Sequence, residues 1–120
     1  MNLDKYKEEI NKKLLEIENK ANKIKKISNV YGGQTERVLQ LRLKEHKKSD
    51  KRKKGMVIRL LLTFENNDND NLALINDCEE YLIKLLKKKY KKKCFNKNDE
   101  TSISNHTYGK DKHKLYFMYK

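Results

Sequence analysis

Proline and tryptophan are missing altogether, and glycine occurs only 4 times in 120 residues. With no helix breaker before Gly32, the N-terminal segment can run as one uninterrupted helix. The 2 cysteines, Cys78 and Cys94, are too few for a disulfide framework. Cys78 falls among apolar neighbours in a helical pattern, where a thiol behaves as a small hydrophobe. The N-terminal "MNLDKYKEEI" has no apolar run, so no secretory signal is read. No stretch approaches the ~18 apolar residues of a membrane span. These absences lead to the expectation of an intracellular protein, cytoplasmic or nucleoid-associated. Arginine is also scarce: Arg37, Arg42, Arg52 and Arg59 stand against a Lys+Arg total of 30. Lysine binds phosphate as a point charge, whereas base edges are read best by the guanidinium fork, so rich sequence discrimination is not expected.

What is abundant is positive charge. The formal net charge is +13, and charged residues make up 39% of the chain against 36% hydrophobic. Such an excess repels itself in a compact state and is best tolerated where an anionic partner neutralises it. An AT-rich genome would also load a chain with lysine, asparagine, isoleucine and tyrosine. Basic composition is therefore a footprint of nucleic-acid binding, but a non-specific one.

Periodicity organises the chain as a single α+β domain in the order α-β-β-α-β-β. Over 1–29, Leu3, Tyr6, Ile10, Leu14, Ile17, Ala21, Ile24 and Ile27 form one helical stripe. Within it Leu3, Ile10, Ile17 and Ile24 sit seven apart, which permits a homodimer seam through helix 3–27. Lys13 and Lys20 weaken that seam, and packing across a sheet is the simpler account. "YGG" at 31–33 reads as the break after this helix. "TERVLQLRLKEH" alternates, with Leu39, Leu41 and Leu43 on one face, and reads as a strand. It would pair with "KGMVIRLLLTF" in a first hairpin over 35–64, with "HKKSDKRKKG" as a basic loop over 46–55. "ENNDNDN" supplies turn and cap residues for a second helix over 71–93. A second hairpin over 102–119 completes a four-stranded, mainly antiparallel sheet covered by the two helices.

Two clusters carry the functional expectation. Lys47, Lys48, Lys51, Arg52, Lys53 and Lys54 crowd the first loop, with Gly55 to turn the backbone into the next strand. Lys87, Lys88, Lys91 and Lys92 gather at the end of the second helix, where the macrodipole favours cations but does not call for so many. Both suit phosphate contact, driven by release of condensed counterions. Tyr108, Tyr116, Phe117 and Tyr119 would stack on bases if exposed, although core packing is the commoner fate of aromatics at strand spacing. The helix "YLIKLLKKKYKKK" also has the look of a membrane-surface segment, but its apolar face is needed by the sheet, so no membrane role is expected.

Catalytic readings are thin. His106 and His113 would share a face of the last hairpin and could act as base and acid. Cys94 with those histidines offers three zinc donors at unfamiliar spacing. Glu45-His46-Lys47 is similar to the nuclease-fold motif in that tripeptide alone. "KGMVIRLLLTF", followed by a helix and a hairpin, resembles the later half of the C-terminal domain of bacterial translation initiation factor three. That family has a helix between its first two strands, which is not read here, and a basic turn where this chain is acidic, so membership is not claimed. The expectation is a non-catalytic nucleic-acid-binding protein for DNA or RNA, with no cofactor and no metal. The rival is a small inhibitor or adaptor of viral or mobile-element type that grips an acidic enzyme or ribonucleoprotein.

Overall fold

The computed structural model describes residues 3–64, 69–96 and 112–120. Six main elements alternate along them: α1 (Leu3–Ile24), β1 (Val30–Thr35), α2 (Leu39–Ser49), β2 (Val57–Phe64), α3 (Asn69–Tyr90) and β3 (His113–Tyr119), with short 3-10 turns at Lys51–Lys53 and Lys91–Lys93. The class is α+β. The described sheet has three strands in the order β1-β3-β2, all antiparallel, where four were expected. The expected first strand of the second hairpin falls outside the described residues.

The sheet separates two cores because successive side chains point to opposite faces. Leu115 and Phe117 of β3 join Leu61 and Phe64 of β2 and Val30 of β1 on one face, under α1 and α3. Tyr116 and Met118 face the other way, with Ile58, Met56 and Leu43 under α2. A bulge between Leu60 and Leu62 lets both Leu61 and Leu62 face the larger core.

The first hairpin is where the sequence reading fails. Residues 39–49 form α2, not a strand, and the 46–55 stretch is the end of that helix plus a 3-10 turn. The leucines at 39, 41 and 43 fit a period of two, but Leu39, Leu43 and His46 also fit one helical face, and those three pack inward. Leu41 is left 47% exposed, the cost of the winning pattern. The deciding signal is composition: between Leu39 and Lys48 there is no β-branched residue, and Leu, Gln, Arg, Lys and Glu are all strong helix formers.

"YGG" is likewise not a break but the middle of β1. A Cβ on Gly32 would lie 2.8 Å from Leu82 of α3, and one on Gly33 would lie 2.4 Å from the Tyr116 hydroxyl. Glycine here lets a helix approach one face and a tyrosine ring the other.

The N-terminal stripe packs as the simpler account has it. Ile10 and Leu14 are fully buried, Tyr6 stacks on Phe64 at 5.9 Å between centroids, and Asn11 Nδ2 donates to Tyr81 Oη at 2.7 Å. Ile10 and Ile17, which would form a seam between two copies, are thus packed inside the chain, while Ile24 is 90% exposed.

Candidate nucleic-acid interface

The basic stretch at 46–55 is a built corner. Asp50 caps the 3-10 turn, its Oδ1 accepting from Arg52 N at 3.0 Å. It also holds the Arg52 side chain through Nε at 3.1 Å and Nη2 at 2.8 Å. These bonds keep the Asp50 carboxyl well below the usual carboxylate range and raise the Arg52 guanidinium further. Gly55 then takes φ +83 with open space around it, so the left-handed backbone is its reason for being glycine.

Lys53 does not belong to the surface. It is 7% exposed, with Nζ 3.8 Å from the Tyr31 ring centroid and 3.0 Å from His46 Nδ1. An ammonium can only donate, so Nδ1 accepts and the imidazole proton sits on Nε2, which donates to Tyr116 Oη at 2.7 Å. Arg42 Nε reaches the same hydroxyl at 3.3 Å. Burial, then the Lys53 and Arg42 charges, push the His46 pKa down to about 3. Burial raises Tyr116 and Tyr31. Lys53 thus joins α2, β1 and the 3-10 turn from within, and the Glu45-His46-Lys47 tripeptide has its histidine committed to packing.

The two basic turns approach the same end of the sheet. Val30, Tyr119 and Val57 align across one end of the sheet. The Lys51–Lys53 turn leads into β2 there, and the Lys91–Lys93 turn leads through Cys94 to a bridge with Val30. Neighbouring strands are ~4.8 Å apart and Cys94, β1, β3 and β2 lie side by side in that order, so the two turns reach the sheet about 14 Å apart. Phe95 joins them: its N donates to Val30 O at 2.8 Å, and the Arg52 guanidinium lies over its ring at 5.0 Å. Lys120 Nζ lies over the same ring at 5.7 Å and donates to the carbonyls of Arg52 and Lys54. Asn96 locks the strap by pairing with Gly32, donating Nδ2–H to its O at 2.8 Å and accepting from its N at 2.9 Å.

On the other side of the strap lies a groove of about 580 Å³ lined by Lys26, Ile27, Lys89, Tyr90, Lys91, Lys92 and Lys93. Lys91 is left-handed at φ 54, which turns the chain out of α3. Lys89 is occupied, its Nζ 2.7 Å from Glu18 Oε1, while Tyr90 Oη donates to Glu18 Oε2. Of the expected contacts, Lys48, Lys51, Arg52, Lys54, Lys88, Lys91 and Lys92 are exposed, Lys47 and Lys87 are half-buried, and Lys53 is removed. Lys93 belongs to the same run of lysines, whereas Lys26, Phe95 and Lys120 were missed. No local pattern marks them, because the strand register brings them together.

The other candidates disperse. His113 is 1% exposed, with Nδ1 3.4 Å from Glu36 Oε1, and His106 and Tyr108 lie outside the described residues. Cys94 sits at the Tyr119 end of β3 and His113 at the other, some 20 Å apart at ~3.3 Å per residue, so they cannot share a metal. Among the described residues no group of three His, Cys, Asp or Glu could hold a metal, and no helix is long and apolar enough to cross a membrane. Tyr116 and Phe117 are fully buried and Tyr119 stacks on Phe117 at 5.6 Å, so the terminal strand offers no stacking face from its central aromatics. No family model matches the chain, and comparisons with curated proteins and with solved structures found no match.

Proposed function

We propose that this chain is a small, non-catalytic nucleic-acid-binding protein that meets the phosphate backbone with one end of its sheet. The observation that carries the reading is the joining of two basic turns, distant in sequence, through Phe95 and Lys120. Cations massed on one front release counterions from a polyanion together, whereas the same number spread over the surface would not. Lysine dominance implies backbone contact with weak discrimination among sequences.

The test is a binding titration of the full chain against single-stranded RNA, single-stranded DNA and duplex DNA, repeated across salt. Submicromolar binding at low salt that weakens steeply as salt rises is the expected result. No binding to any of the three at low salt, with an acidic protein bound instead, would replace this reading with the inhibitor or adaptor.

A further inference from the structure

The two-turn front holds one group that a simple phosphate clamp does not need. Asp50 places a carboxylate inside a basic patch, where it repels phosphate. What it does is fix Arg52: two of its bonds grip the Nε–Nη2 edge of the guanidinium. That is an edge arginine would otherwise use to read a guanine or to fork a phosphate. With this edge spent, the guanidinium keeps its Nη1 end and its face. Its Cζ lies 5.0 Å from the centre of the Phe95 ring, and the side chain remains 54% exposed, which leaves room for a ligand against it. Around it stand Lys51, Lys54 and Lys120.

We propose that the Arg52 face, backed by Phe95 and held by Asp50, is a stacking platform for an unpaired nucleobase, so that the ligand of the basic front is single-stranded nucleic acid. The inference rests on the nucleic-acid reading above and narrows it. Guanidinium planes and aromatic rings are the surfaces on which splayed bases stack, and such contacts tolerate any base. In a duplex the base faces are hidden within the stack, and a platform of this kind has nothing to meet. The neighbouring ammonium groups would hold the phosphates on either side of the stacked nucleotide.

The experiment compares wild type, Arg52→Lys and Asp50→Asn on three labelled ligands: a mixed-sequence single strand, the same strand with abasic sites, and its duplex. Circular dichroism first verifies that both variants fold, and Arg52 is exposed enough that Arg52→Lys should. Arg52→Lys keeps the charge and loses the plane, so single-strand affinity should fall roughly tenfold, the scale of one stacked base, with the salt slope unchanged. Asp50→Asn should weaken single-strand binding while raising duplex affinity, because a negative charge is gone and the platform is loosened. Abasic and duplex affinities should be insensitive to Arg52→Lys. Wild type that binds the intact and abasic strands equally, or an Arg52→Lys variant that loses the same factor on all three ligands, would overturn the platform while leaving the basic front in place. Failure of wild type to bind any of the three would overturn the nucleic-acid reading itself.

Discussion

At the scale of single residues, charge is spent in two opposite ways within a few positions. Arg52 and Lys53 are adjacent, yet one is exposed and held from outside, while the other is drawn inside against Tyr31 and His46. No reading of "KKSDKRKK" could separate them, because the choice depends on a ring contributed by β1. The buried member leaves a signature in pH. His46 faces Lys53, Asp50, Arg42, Tyr31 and Tyr116, and its pKa of about 3 lies below the 6.5 of an unperturbed histidine. The unfolded chain therefore binds a proton that the folded chain refuses, so stability is complete above pH 6.5 and declines as pH falls toward 3. The slope from this group approaches about 1.4 kcal/mol per pH unit. Denaturation midpoints between pH 7 and 5 should fall less steeply in His46→Gln than in wild type, and equal slopes would show that the imidazole does not matter.

At the scale of elements, the helices around the sheet were legible and the first half of the sheet was not. α1 and α3 each carry a stripe long enough to outvote other patterns, and their bounds fall within a few residues of 1–29 and 71–93. α2 is short, and a leucine at every second position hid the leucine at every fourth. β1 was invisible because its two central residues have no side chains to show a period. Its glycines differ in consequence. An alanine at 32 would press on Leu82, an aliphatic side chain that can rotate, whereas one at 33 meets a hydroxyl pinned by His46 and Arg42. Overpacking of the second kind costs about 1–3 kcal/mol. Gly33→Ala should lower stability in urea clearly more than Gly32→Ala; the reverse order would mean that the tyrosine yields and α3 does not.

At the scale of the molecule, the sequence carried the amount of charge but not its placement. Both clusters were visible as runs of lysine, and their meeting was not, since it depends on β3 lying between β1 and β2. The two ends of the sheet differ. Near Phe64 and His113 the chain sets Glu36 beside His113, while the Lys51–Lys53 and Lys91–Lys93 turns lead to the Val30–Tyr119–Val57 end. Tyr6 stacks on Phe64, so the exposed lysines early in α1 lie away from that front. Reversing Lys51, Lys54 and Lys92 to glutamate should cost at least roughly tenfold in affinity and flatten the salt dependence. Reversing Lys5, Lys12 and Lys13 makes the same change in net charge and should cost far less. Equal losses would mean that total charge, and not its arrangement, does the binding.

The Asn96 amide, by taking both main-chain groups of Gly32, bears on how copies of this protein can associate. A polymer built strand by strand needs two open margins on every subunit, one to receive and one to offer. Here the β1 margin is closed from Val30 to Gly32 by Cys94, Phe95 and Asn96. A strand of a neighbouring copy therefore cannot seat itself along that stretch of β1.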